Sequence, residues 1–215
     1  MPNNKPYMLF RYDLQMQAGS DEAEIMIYGS IVSNKWGENN PDVTALEFDK
    51  LLKQAKKNGA KRLLLRINSG GGSVFQAVSM KTMLMEADFE KITVRIDGLC
   101  AGGAAHHHQD GLFPSLPGAY VRMAEGGMMM IHNPSDIVWG TAKEMEDGAR
   151  RLHAIESDMH SIYARRTGIG ENEIAKMMND ETWLTAKMAK EKGFGVLIAA
   201  AGMAADFAGA IAANT

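Results

Sequence analysis

The strongest constraint on the fold of this chain is one uninterrupted passage. The apolar run Lys61–Ile67 (KRLLLRI) ends in Asn68-Ser69-Gly70-Gly71-Gly72, and a helical pattern resumes from Val74 to Glu86. A short apolar run that stops at a glycine cluster reads as a buried strand feeding a tight turn. The same alternation extends to both sides. Upstream, Ala23–Val32 is β-rich and reads as one strand or two short ones, and Ser33–Pro41 reads as a loop. Asp42–Asn58 then places Ala45, Phe48, Leu52 and Ala55 on one helical face, with Gly59 as its stop. Downstream, Ile92–Ile96 is a strand running into Asp97-Gly98, and Gly127–His132 is another, closed by Asn133-Pro134. Strand and helix in alternation predict an α/β fold with mainly parallel pairing. No internal repeat of solenoid length is present.

Composition limits what such a chain can be. Its 215 residues suit one domain, and 46% hydrophobic against 23% charged residues supply a real core. A net charge of -3 removes any basic excess that would point to nucleic acid. A single cysteine, Cys100, excludes an intrachain disulfide and a cysteine zinc finger. Residues 1–20 are weakly patterned and read as a loose arm without a secretory h-region. The tract VLIAAAGMAADFAGAIAANT is built on Ala and Gly and broken by Asp206, so it reads as a helix packed on the body or on a neighbouring subunit rather than a membrane span. A soluble, cytoplasmic protein is expected.

The second half carries a long helix. Thr141 and Glu144 form a Thr-x-x-Glu capping box, and Met145, Leu152, Ile155, Met159, Ile162 and Tyr163 keep helical period until Gly168. That helix is polar over most of its surface, so it either crosses the body or projects toward another subunit. A shorter helix follows at Glu171–Met178, an apolar break at Thr182–Leu184, and a last helix from Thr185 to Gly193.

The glycine turn is the first candidate site. Bare backbone N–H groups between a strand and a helix N-terminus favour negative charge. A P-loop requires Gly-Lys-Ser/Thr, and no Lys follows. A dinucleotide turn requires a final glycine where Phe75 stands. Two readings remain: an oxyanion hole and a plain tight turn. Two further segments bear on the choice. Val94–Ala105 is a strand followed by small residues, the shape of a turn that presents a nucleophile. His132 ends an apolar strand, and Pro134 halts that strand in a way that suits a side chain facing a cleft.

Together the stretches IYGSIV, INSGGGSVFQA, IDGLCAGGAA, MMMIHNP, GTAKEME and ETWLTAKMAKEKGFG resemble ClpP-type serine peptidases, and most closely the ClpP-related head-maturation proteases of tailed phages and prophages. The similarity runs collinearly over about residues 23–198. It implies a ClpP/crotonase fold of repeated ββα units, with a long interface helix after the strand of the catalytic His. It implies a Ser-His-acid triad and assembly into homo-oligomeric rings. By this resemblance the peptidase domain spans 21–198, with residues 1–20 as the arm and 199–215 as an Ala/Gly-rich tail. His132 matches the general base. Glu181 falls on the acid position, with Asp180 as the alternative. Gly71 and Gly72 match the oxyanion loop, where Gly70 replaces the family's usual Pro, and Gly103 matches its second N–H donor.

The nucleophile does not follow. The resemblance places the serine at position 102, and this chain has Gly102. Loss of a triad nucleophile costs on the order of 10⁶ in rate in a comparable serine protease. Cys100 is two residues upstream, a displacement of ~6–7 Å along a strand, and reads as a small buried apolar residue. Ser115, between Pro114 and Pro117, reads as a loop serine. Segment 104–118 is also atypical, because its two prolines and two glycines do not continue the helix that the family places behind the nucleophile. A local replacement, a reading-frame slip and an engineered insertion all fit so bounded a divergence. His106, His107 and His108 lack a supporting carboxylate cluster and read as a weakly metal-binding loop. Met128–Met130 read as core packing.

Three functional readings follow. The leading one is a serine endopeptidase subunit of the phage head-maturation type, inactive as written if nothing replaces the missing serine. It would act on an extended segment of capsid or scaffold protein, with no cofactor and no metal, as a ring that works with an ATPase unfoldase in cellular relatives. Neither nucleic acid nor membrane is expected as a partner. The second is a non-catalytic, ring-forming scaffold subunit. The third is a crotonase-like acyl-CoA enzyme, against which MMMIHNP and ETWLT stand.

Overall fold

The structure is a computed structural model that describes residues 14–16, 20–35, 40–101 and 113–199. Alternation of buried and open positions builds its sheet. Strand β2 (Glu22–Ile27) buries every second residue, and β3 (Arg62–Ser69) buries Leu63, Leu65 and Ile67 in the same way. Between them α1 (Ala45–Lys57) starts at a Thr44/Glu47 capping box and buries Ala45, Phe48, Leu52 and Ala55, the face its spacing predicts. Helix α2 (Val74–Glu86) begins directly behind the glycine turn and leads to β4 (Lys91–Cys100). Strands β2, β3 and β4 pair in parallel and in register from Glu22↔Arg62 and Arg62↔Lys91 onward.

Several elements depart from the sequence reading. Leu14–Met16, within the stretch read as an arm, forms a short strand β1 antiparallel to β2. Tyr120–Ala124 is a strand, β5, parallel to β4. The strand before the candidate His is β6 (Met128–Ile131), and α3 (Ala142–Thr167) and α4 (Glu171–Asn179) follow it. The apolar break at 182–184 is a strand, β7 (Thr182–Thr185), antiparallel to β6. Helix α5 (Ala186–Glu191) precedes β8 (Val196–Ala199), which pairs in parallel with β5. The start of the C-terminal tract is thus a strand and not the expected helix, because Val196 finds a sheet neighbour in Val121. Residues 200–215 lie outside the described residues. Pairing is parallel except at β1–β2 and β6–β7. The α/β reading holds, but the repeat of ββα units is not regular: one strand, β3, separates α1 from α2, as a parallel crossover requires.

One strand carries two neighbours. Thr93–Ile96 of β4 pair with β5, whereas Leu99 and Cys100 pair with Met128 and Met129 of β6. The change falls where the register with β3 shifts, between Ile67↔Ile96 and Ser69↔Cys100. Asn68 holds this kink by accepting the Leu99 N–H at 3.0 Å. The result brings the C-terminal ends of β3, β4 and β6 together, the edge at which open α/β sheets build their sites.

Helix α3 has the capping box its sequence predicts, with Thr141 N–H donating to Glu144 at 2.7 Å and Gly168 as a left-handed stop. The Thr141 N–H and hydroxyl hold the Glu144 carboxyl below its usual range. Only Gly148, Met159 and Tyr163 of α3 are buried, so most of its surface is open. Beneath its end, Tyr163 meets the Phe194 ring edge-on at 6.1 Å between centroids.

Candidate active site

The glycine turn is clasped by backbone. Ile31 donates its N–H to Gly71 O at 2.9 Å and accepts the Ser73 N–H at 2.6 Å, so one residue after β2 grips both sides of the turn. A Cβ at position 72 would lie 1.7 Å from Ile31 O, which leaves glycine as the residue that fits. Gly71 has φ +97°, a conformation side chains rarely adopt. Ser69 completes the clasp: its buried hydroxyl donates to Gly29 O at 2.5 Å and accepts the Gly71 N–H at 3.0 Å.

The Gly71 N–H, expected to face an oxyanion, is thus donated to the Ser69 hydroxyl in this structure, and Gly72 follows it toward the head of α2. Ser69 was missed as a participant. The signal was a serine placed directly before the glycines, where a short hydroxyl reaches the backbone two residues on.

His132 stands one residue past β6, half-buried. The β6–β7 register pairs Met128↔Thr185, Met129↔Leu184, Met130↔Trp183 and Ile131↔Thr182. That last pair leaves His132 and Glu181 as the residues immediately beyond it on the two chains. Asp180 is the C-cap of α4, one position out of step. Between the two carboxylates the ladder therefore favours Glu181. Glu181 also has φ +48°, unusual for a residue with a side chain, and strained backbone of this kind gathers at functional sites. Around it the turn is tied by Glu181 N–H to Met178 O at 3.2 Å and Thr182 Oγ1 to Met177 O at 2.6 Å. Asn133, beside His132, donates to Asn179 Oδ1 at 2.5 Å. Neither Asn was singled out in the sequence, because nothing local marks them.

Gly102, Gly103 and His106–His108 lie outside the described residues. The strand leading to them is described: Cys100, fully buried, sits between Ser69 and Met129, and Ala101 N–H donates to Ser69 O at 3.2 Å. Cys100 is thus the core residue its sequence suggests. Ser115 lies in a turn, as its sequence suggests. It is buried in the turn between Phe113 and Leu116, both core residues, with Phe113 6.4 Å from the Phe48 ring. Met129 and Met130 are buried in the core strand as expected. Among the described residues no three His, Cys, Asp or Glu side chains gather as a metal ion requires. No described helix is long and apolar enough to cross a membrane.

A second polar cluster ties the sheet below the kink. Tyr28 Oη donates to Asp97 Oδ2 at 2.5 Å, Arg66 Nε reaches the same oxygen at 2.7 Å, and Arg66 also meets Glu24 at 3.1 Å. Burial, then the Asp97 carboxylate, push the Tyr28 phenol up to about 12.

His132 at the end of β6, Asp180 and Glu181 on the turn before β7, and the glycine turn at the head of α2 are the described parts of the candidate site. The Clp protease family model matches residues 19–212, and the chain belongs to that family. Its members are by family serine peptidases that act on peptides and proteins and work as oligomers.

Proposed function

We propose that this chain is a ClpP-type serine endopeptidase subunit of the phage head-maturation kind, with the machinery for peptide hydrolysis present apart from the nucleophile. The observation that carries the reading is the β6–β7 register, whose last pair, Ile131↔Thr182, leaves His132 and Glu181 as the next residues on the two chains. In this reading Glu181 orients the imidazole, and His132 takes the proton of a serine hydroxyl and returns it to the leaving amine. An N–H of the Gly71–Gly72 pair, with that of Gly103, receives the oxyanion. Gly102 supplies no hydroxyl, so the chain as written binds an extended capsid or scaffold segment without cutting it. Ring assembly through the exposed surface of α3 belongs to the same proposal. A monomer by light scattering at micromolar concentration would count against it.

Fluorophosphonate labelling with peptide mapping tests the site. The native chain is expected to stay unlabelled, the Gly102→Ser variant to be labelled at the new serine, and the added His132→Ala change to abolish labelling. A folded Gly102→Ser protein that resists the probe overturns the reading. An adduct on another serine of the native chain moves the nucleophile there. The presence of Gly102 also favours a second reading, a non-catalytic ring subunit, which predicts assembly and peptide binding with no gain from Gly102→Ser. The crotonase-like alternative predicts thermal stabilisation by an acyl-CoA, and its absence disposes of it.

A further inference from the structure

We infer that Asn133 and Asn179 form a positioning pair, whose amide–amide bond holds the turn bearing Glu181 against the strand end bearing His132. The inference rests on the acid–base reading of those two residues and deepens it.

Three observations carry it. The β6–β7 ladder ends at Ile131↔Thr182, so His132 and Glu181 lie one step beyond its last pair. There the chain departs from strand geometry: Glu181 takes φ +48°, and Asn179 and Asp180 close α4. A carboxylate on such a turn keeps its place opposite the imidazole only if something ties the turn across the gap. The bond from Asn133 Nδ2 to Asn179 Oδ1, 2.5 Å long, crosses it, joining the residue after His132 to the residue two before Glu181.

The third observation concerns cost. Asn133 Oδ1 is buried without a hydrogen-bond partner. A buried, unpaired amide oxygen destabilises the fold, and an apolar side chain of similar size would avoid that penalty. Asparagine at 133 is accounted for by what its other amide atom does. Pairing to Asn179 fixes the separation of two segments 46 residues apart in the chain. Misplacement by about 1 Å of a catalytic group can cost on the order of 10²-fold in rate, so a tie of this kind matters more to chemistry than to stability.

The test reads His132 directly in the full chain, through the ring carbon-bound proton signals in NMR spectra. Glu181→Gln is introduced into the native protein and into Asn133→Ala, Asn179→Ala and the double variant, each verified as folded from its amide spectrum. In the native protein Glu181→Gln is expected to move the His132 signals. That response should fall about threefold in either single variant and no further in the double, the signature of one shared interaction. In a Gly102→Ser background, Asn179→Ala should slow fluorophosphonate labelling about tenfold while peptide binding is unchanged. A merely structural role would not move the His132 response selectively. Should Asn179→Ala fail to fold, Asn133→Ala removes the same bond from the strand side.

An undiminished His132 response to Glu181→Gln in the folded single variants overturns the positioning pair and leaves the acid–base reading standing. No response in the native protein, together with an unlabelled Gly102→Ser variant, overturns both.

Discussion

The glycine turn after β3 and the turn that bears Glu181 are held in opposite ways. The glycine turn is fixed by backbone: Ile31 grips Gly71 O and the Ser73 N–H, and the buried Ser69 hydroxyl bridges Gly29 and Gly71. Beneath it the strands are cross-tied by Tyr28, Arg66 and Asp97. The acid turn is fixed by its helix end, one strained residue and an amide pair reaching the surface. A donor for developing negative charge works only if it is aimed before the reaction begins, so it belongs on rigid main chain. A carboxylate that orients an imidazole need only be kept at contact distance, and side chains suffice for that. The cost of rigidity is sequence intolerance on the glycine side.

Substitutions sharpen this contrast, the largest effects falling on the backbone clasp. Gly72→Ala drives a methyl into Ile31 O and is expected to lower unfolding free energy by about 3 kcal/mol, read from urea denaturation. Ser69→Ala leaves the Gly71 N–H buried and unpaired and should cost about 2 kcal/mol in the same assay. On the acid side the sign reverses: Glu181→Gly relieves a left-handed residue and should stabilise the fold by about 1 kcal/mol while removing the carboxylate. If Gly72→Ala proves as mild as Glu181→Gly, the two turns are not differently held.

The smallest effect at neutral pH comes from the cross-tie. Tyr28 binds its proton more tightly folded than unfolded, with the phenol raised from 10.0 to about 12. Its contribution is complete below pH 10 and is lost as pH rises toward 12, because the unfolded chain releases its proton first. Denaturant midpoints measured across that window should fall more steeply in the native protein than in Tyr28→Phe.

Much of this was legible in the chain. Helical spacing gave the buried face of α1, and the Thr141/Glu144 box gave the start of α3, because both depend on contacts within one turn. The glycine turn and His132 were marked by breaks in pattern. Strands β5, β7 and β8 were not read, since four or five apolar residues become a strand only when a neighbour at a remote position offers its backbone. What favours Glu181 over Asp180 is its position next to the last β6–β7 pair, a relation between residues about 50 apart. The partner of the Gly71 N–H is a single serine hydroxyl. That hydroxyl is invisible to any count of glycines.

The open surface at the start of α3 gives the protein a reporter of its own. Trp139, just before that helix, is 87% exposed, and Ile137 and Met145, close to it in the chain, are open as well. An indole so fully in water emits at long wavelength and is quenched by dissolved iodide, while one buried between subunits does neither. With Trp36 and Trp183 replaced by phenylalanine, the emission colour of a dilution series therefore reports whether Trp139 is covered at each concentration, without a label or a substrate. The helix itself shows Arg150 and Arg151 to a protease on an exposed stretch. The rate of tryptic cutting there should therefore track the same coverage by an independent route.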